Sequence, residues 1–176
     1  MLVTAHPVAF RRYQATDYSP VASLWTRINR ELAPVGMETL FEQYIAMTID
    51  GELKQLLEVF SETKRNAFWV VENVNGIIGS FGIESRGVSD TDLRRMYLDE
   101  GYRGLGIAQR MLDWAEAEAR ALGFTKMLVS TAQIQKAADK FYRKSGFQHI
   151  RTEVARTMTA KQAGGGLTRF YFEKVL

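Results

Sequence analysis

The sequence predicts a mixed α/β domain: a central, mostly antiparallel sheet of about seven strands flanked by about four helices. Three observations predict it. β-rich runs alternate with stretches of helical apolar periodicity along the chain. An Asn75-Gly76 pair between two β-rich runs marks an antiparallel hairpin. A strand, a long helix and another strand follow one another from Asp92 to Thr131, which makes a crossover connection.

Val8 to Tyr13 reads as the first strand and Tyr18 to Leu32 as the first helix, with Asp17 or Ser19 as its cap and Pro20 in its first turn. Pro34 and Gly36 break the chain. Glu38 to Phe60 has helical periodicity, interrupted at Asp50-Gly51. Ala67 to Glu72 and Ile77 to Ile83 are the arms of the hairpin, and Asp92 to Leu98 is the next strand. Strand alternation puts Asp92, Arg94, Met96 and Leu98 on one face. Leu105 to Leu122 is the clearest helix: Ala108, Met111, Leu112, Ala115, Ala119 and Leu122 recur at three and four, and Gly123 stops it. Lys126 to Thr131 has a nearly continuous apolar middle and reads as a central strand. Ile134 to Ser145 is a helix ended by Gly146; Phe147 to Thr157 and Thr168 to Val175 are closing strands. The loop between them holds Gly164, Gly165 and Gly166 and is expected to be mobile.

The chain has 176 residues, 46% of them hydrophobic and 24% charged, enough for one domain, 1–176, with a real core. It has no cysteine, which excludes disulfides, thiolate metal sites and a cysteine nucleophile. Its two histidines, His6 and His149, cannot build a histidine-rich metal site, so no metal is expected. No apolar run reaches the roughly 18 residues of a membrane span, so no membrane partner is expected. Met1 to Phe10 lacks the basic and apolar segments of a secretion signal, and a cytoplasmic location is the expectation. The net charge of +3 comes without a dense basic run. It calls for no nucleic-acid partner and suits a polyanionic small molecule equally well.

The chemistry is concentrated in Leu93 to Ala108. A strand ends, a loop carries Arg103-Gly104-Leu105-Gly106, and a helix starts at once. Backbone N–H groups at a helix start lack intrahelical partners, and the helix dipole adds positive charge there. Glycines let a phosphate approach those groups, and Arg103 adds a charge at the rim. The stretch fits a pyrophosphate cradle. A P-loop needs Lys and Ser or Thr after its last glycine, whereas Ile107 follows Gly106. A dinucleotide fingerprint starting at Gly104 would need a glycine where Gln109 stands. The pattern Arg-x-x-Gly-x-Gly/Ala fits in full, as Arg103-Gly-Leu-Gly106-Ile-Ala108.

That segment resembles the acetyl-CoA site of the GNAT N-acetyltransferase superfamily. A second motif at the right distance supports the resemblance. Phe141-Tyr142-Arg-Lys-Ser-Gly146-Phe147 is similar to the Tyr-x-x-x-Gly-Phe ending of the family's later helix and strand. The order of elements is similar throughout. Leu93-x-Arg95-Met-Tyr-Leu98 paired with Thr131-Ala-Gln-Ile-Gln135 resembles a subgroup acting on small amines or amino acids. One position departs: many members carry asparagine where Gln135 stands, three residues before Ala138, and glutamine can make the same amide contacts.

The resemblance implies a GNAT-like fold and direct acetyl transfer from acetyl-CoA, a co-substrate, to an amine in a ternary complex. It implies that Met96, Tyr97 and Leu98 meet the pantetheine arm and the thioester, where this strand splays from Lys126 to Thr131. It puts the pyrophosphate on Arg103, Gly104, Leu105, Gly106, Ile107 and Ala108, with Gln135 and Ala138 near the pantetheine. Tyr142 stands where relatives use a tyrosine as acid or hydrogen-bond donor to the leaving sulfur. Asp92 is the first candidate for the base that deprotonates the amine and Glu84 the second. Homodimers are common in such a family.

Plainer readings stand beside these. Gly104 and Gly106 could form an ordinary tight loop, Tyr142 could be a core aromatic, and Asp92 could be turn chemistry at a strand start. Arg94-Arg95 could be a solvated face or could receive a substrate carboxylate. His149 reads as a packing or surface residue. An acyl-CoA-binding sensor without turnover would keep Arg103 to Ala108 but would need neither Tyr142 nor a carboxylate.

Overall fold

The computed structural model describes residues 7–176. His6, and with it residues 1–6 of the stretch read for a secretion signal, lies outside the described residues. Strands β1 (Ala9–Arg12), β2 (Ala67–Asn73), β3 (Gly76–Arg86), β4 (Asp90–Leu98), β5 (Lys126–Ala132), β6 (Gln148–Ala155) and β7 (Leu167–Val175) form one sheet, in the order β1-β2-β3-β4-β5-β7-β6. Neighbours are antiparallel except β4 and β5, which run parallel. A parallel pair needs a long return path. Helix α4 (Ile107–Ala121) provides it.

The other helices are α1 (Tyr18–Leu32), α2 (Glu38–Met47), the single turn α3 (Leu56–Val59) and α5 (Lys136–Lys144). On one face of the sheet α4 and α5 bury Met111, Leu112, Ala115, Ala119 and Tyr142 against Phe81, Ile83, Met127, Val129 and Phe172. On the other face α1 presents Val21, Leu24, Trp25 and Ile28, the spacing of one helical stripe, to Phe68 and Val70.

The interrupted helix expected over Glu38 to Phe60 is α2, then a π-helical turn over Thr48–Leu53, then α3. The wider turn brings Glu52 inward, and its side chain is only 7% exposed. Two boundary expectations are corrected. Neither Asp17 nor Ser19 caps α1 through its side chain. The Asp17 carboxylate instead accepts from Arg11 (2.7 and 2.9 Å) and from the Gln14 backbone (2.8 Å). Those bonds, the Arg11 guanidinium first, hold its carboxyl below the usual range. Helix α4 starts at Ile107 rather than Leu105, because Gly106 takes a left-handed conformation (φ 78°) that ends the loop.

A third correction concerns β4. Ser80 of β3 faces Tyr97, but Gly82 faces Arg94, so Phe81 alone stands opposite Arg95 and Met96. This is a β-bulge, with Arg95 at φ 50°. Side-chain alternation reverses across it. Asp92 and Arg94 reach Lys161 and Glu52 on the α1–α2 side, whereas Met96 and Leu98 join the core beneath α4. The four residues expected on one face are therefore split between two. A buried relay secures the bulge: Trp25 Nε1 donates to Ser80 Oγ (3.0 Å), and Ser80 Oγ donates to the Arg95 carbonyl (3.0 Å).

The glycines expected to loosen the β6–β7 connection let it pack closely instead. A Cβ at Gly165 would lie 2.5 Å from Leu40 Cδ2 and 2.6 Å from Met37 Cε, and one at Gly164 would lie 2.6 Å from the Thr157 carbonyl carbon. The connection thus rests against α2, with Ala163 and Leu167 buried on Phe41 and Tyr44. Among the described residues no helix is long and apolar enough to cross a membrane. No group of three or more His, Asp and Glu residues among them could hold a metal ion.

Candidate active site

The site begins where the parallel pair ends. β4 and β5 pair only at Asp90–Lys126, Thr91–Met127 and Asp92–Leu128. β5 continues in full register with β7 as far as Ala132–Arg169, while β4 bends away through its bulge. The two strands diverge, and the gap opens into a cavity of about 500 Å³. Leu93 to Tyr97, Leu128 to Ala132, Gln135, Ala138 and Tyr142 line it, and Tyr44 and Lys161 close the far side.

The cradle lies at the start of α4. Gly104 (φ 75°) and Gly106 (φ 78°) hold left-handed conformations, and a Cβ at either would meet no protein atom within 4 Å. The N–H groups of Gly104, Leu105, Gly106, Ile107 and Ala108 donate to no acceptor among the described residues. Leu105 is exposed, Ile107 is buried in the core and Ala108 is half-buried, so the cradle sits on a fixed helix end. Open donors, the positive end of a 15-residue helix and space on the glycine side make a fit for a pyrophosphate. Arg103 is less available than its rim position suggested. Its Nη1 pairs with Glu31 at 2.5 Å and its Nε donates to the Leu98 carbonyl at 3.0 Å. Those bonds engage the carbonyl of Leu98, one of the residues the resemblance puts against the pantetheine, and tie the loop to α1.

Tyr142, on α5, is 5% exposed and lines the cavity. Its hydroxyl donates to Met96 Sδ at 3.6 Å, so the hydroxyl and the strand expected to carry the acetyl group meet. Burial, with the nearby Tyr97 phenol second, pushes the Tyr142 hydroxyl well above its ordinary pKa. It therefore keeps its proton as a donor. Tyr97 accepts from Arg95 Nη1 at 3.3 Å, on the opposite side of the bulge from Met96. Gln135 accepts from the Ala132 N–H with its Oε1 (2.8 Å), closing the end of β5; its Nε2 has no acceptor among the described residues. Ala138, on the first turn of α5, gives the cavity a small wall.

The two candidate bases differ. Asp92 lines the cavity and pairs with Arg86 and Lys161, each at 3.0 Å. Glu84 is bound to Arg94 and is not part of the lining. Arg94 and Arg95 are not a solvated face. Glu52 accepts from Arg94 (3.0 Å) and from Arg95 (2.5 Å), and Arg95 also reaches Tyr44 Oη (2.9 Å) and the Ala160 carbonyl (2.5 Å). His149 bonds Thr152 on its own strand (2.9 Å) and packs on Phe172, a structural role. Reading the sequence missed Glu52, Lys161 and Arg169. Each is a lone charged residue, Glu52 in the π-helical turn, Lys161 in a loop and Arg169 in a strand, and no motif contains it. For Glu52 the adjacent pair Arg94-Arg95, which demands a buried anion, was the available signal.

Residues 64–149, which contain the hairpin, the cradle and α5, match the family model described as an acetyltransferase (GNAT) domain. The chain is similar to the uncharacterized N-acetyltransferase YjgM of Escherichia coli K12, 34% identical over 104 residues, which cover 57% of this chain and 62% of that protein. Over residues 64–149 the chain is similar to the GNAT acetyltransferases. The fold agrees along its whole length with solved GNAT structures. An acetyltransferase of the GNAT family from Staphylococcus aureus Mu50 superposes with a TM-score of 0.76 at 16% identity, over 97% of this chain and 99% of that one. The PaiA N-acetyltransferase from Thermoplasma acidophilum, solved in complex with coenzyme A, superposes with a TM-score of 0.74 at 18% identity, over the same shares. The matched part of the chain spans less than two thirds of the E. coli relative's own length.

Proposed function

We propose that the chain moves an acetyl group from acetyl-CoA to a primary amine of a small molecule, amino acid or peptide, by direct attack in a ternary complex. The observation that carries this reading is the divergence of β4 from β5 together with the open N–H groups at the start of α4, the helix that follows β4. In this reading the gap is the slot for an extended arm and the helix start the seat for its pyrophosphate. The presence of coenzyme A in the PaiA structure, and the N-acetyltransferase name of the E. coli relative, support the reading.

Acetyl-CoA would supply the activated thioester. In this reading the N–H groups of Leu105 to Ala108 hold the pyrophosphate, and the backbone of Met96 to Leu98 orients the acyl group and stabilises charge on its oxygen. Gln135 Nε2 and the Ala138 wall guide the arm. Tyr142 keeps its proton and donates to the departing sulfur. Asp92, the carboxylate in the cavity wall, takes the amine's proton, and Arg86 and Lys161 hold that carboxylate in place. Glu84 acts only through Arg94.

The test mixes the full chain with acetyl-CoA and a panel of amines, amino acids and peptides, and follows free thiol. Amine-dependent release that falls about 10²-fold or more in Tyr142→Phe, and is lost in Gly106→Glu, is the expected result. Failure of the parent protein to bind acetyl-CoA sinks the proposal. Binding with no turnover on any amine would point to a sensor instead.

A further inference from the structure

Of the cations lining the cleft, one has no anion among the described residues. Arg86 and Lys161 share Asp92, Arg94 and Arg95 share Glu52, and Arg151 pairs with Glu153 at 3.4 Å. Arg169 lines the same cavity and is 9% exposed, yet no carboxylate among the described residues lies within 4.0 Å of it. Its one side-chain bond among the described residues is from Nη2 to Ser130 Oγ, at 2.6 Å. A guanidinium has five N–H donors in a rigid fork, and burying it without an anion is costly. Glu153, directly across on β6, is the carboxylate best placed to neutralise it, and it turns to Arg151 instead.

The position of Arg169 says which ligand would meet it. It stands opposite Ala132, at the end of β5, four residues beyond the last position paired with β4. Its neighbour on the same face, Leu167, packs on Phe41 and Tyr44 of α2. Phe170 and Phe172 alternate to the other face, with α4 and α5. The cradle and Tyr142 belong to that other face. Arg169 therefore looks into the cleft from the side left open for the acceptor, on the same face as Asp92.

We propose that Arg169, held by Ser130, is the receptor for a carboxylate on the acceptor, so that the amine acetylated here is one that also bears a carboxylate, as an amino acid does. This rests on the acetyltransferase reading above and narrows its acceptor. A carboxylate would take the unused donors as a bidentate pair. It would also supply the anion that Arg169 lacks.

The experiment uses matched pairs of acceptors with the full chain and acetyl-CoA: tyrosine against tyramine, phenylalanine against phenethylamine, leucine against isoamylamine. The parent protein is expected to favour the carboxylate-bearing member by at least about tenfold in kcat/KM. Arg169→Gln, which can keep a bond to Ser130, is expected to erase that preference by raising KM for the amino acid. KM for acetyl-CoA and turnover of the matched amine should stay near the parent values. Arg169→Lys should restore part of the preference, and the melting profile of each variant checks its folding. Equal use of both members, no transfer to any carboxylate-bearing member, or a preference that survives Arg169→Gln overturns the inference. Calorimetry of acetyl-CoA binding separates the two claims. Without binding, the acetyltransferase reading falls and takes this one with it; binding and transfer without discrimination remove this inference alone.

Discussion

Glu52 is one carboxylate holding two arginines, and its side chain is 7% exposed while that of Arg95 is 5% exposed. Removing one partner of such a buried set strands the others, at a typical cost of about 3–5 kcal/mol. Glu52→Gln keeps the shape and removes the charge. A urea titration should show a loss of that size, and a loss below about 1 kcal/mol would mean that the arginines are held well enough by their other contacts, Glu84 for Arg94 and the Trp25 ring and Tyr44 for Arg95. At this scale the sequence was readable only where a pattern existed. Tyr142 could be found because Gly146 and Phe147 follow it at fixed spacing. Arg169 could not, because an arginine in a closing strand looks the same whether it faces water or a cleft. Arg103 was placed correctly in the loop, but its pairing with Glu31, 72 positions away, depends on how α1 meets the sheet.

Among the elements, the loop from β4 into α4 carries the sharpest expectation. Gly106 has φ 78°, a conformation that costs an L-residue on the order of 1 kcal/mol, and its missing Cβ points into open space. Gly106→Ala should therefore lower stability by about that much and no more. Its effect on acetyl-CoA should be larger, with the dissociation constant rising about tenfold or more as the methyl enters the cradle. Calorimetry that finds unchanged affinity would remove the cradle from this helix end. The limits of α1 and the Asn75-Gly76 hairpin were legible because periodicity and turn chemistry are local. The bulge in β4 was not. Period-two reasoning assumes an unbroken strand, and the extra residue is held by a tertiary relay from Trp25 through Ser80. The π-helical turn was visible only as an interruption at Asp50-Gly51, without its purpose of turning Glu52 inward.

At the scale of the molecule, the number of strands followed from local runs, and the crossover from Asp92 to Thr131 predicted the parallel pair. The insertion of β7 between β5 and β6 is a choice among pairings that local residues do not distinguish. Only three residue pairs stitch β1 to β4 onto β5, β7 and β6; beyond them the two halves are joined by side chains, packed beneath α4 on one face and, on the other, through Lys161 to Asp92, Arg95 to the Ala160 carbonyl and the β6–β7 connection against α2. Such a molecule should behave as two cooperative blocks meeting at a short seam, and amide hydrogen exchange can read this out. Exchange at residues 96–98 and 129–132 should slow markedly when acetyl-CoA is present, beyond any slowing in β2 and β3. Uniform protection across the sheet would mean that the seam is no weaker than its surroundings. If the seam is the weak line, the co-substrate does a second job. Under the proposed function it would serve as mortar as well as reactant, and each departure of product would leave the two blocks briefly less firmly joined than before.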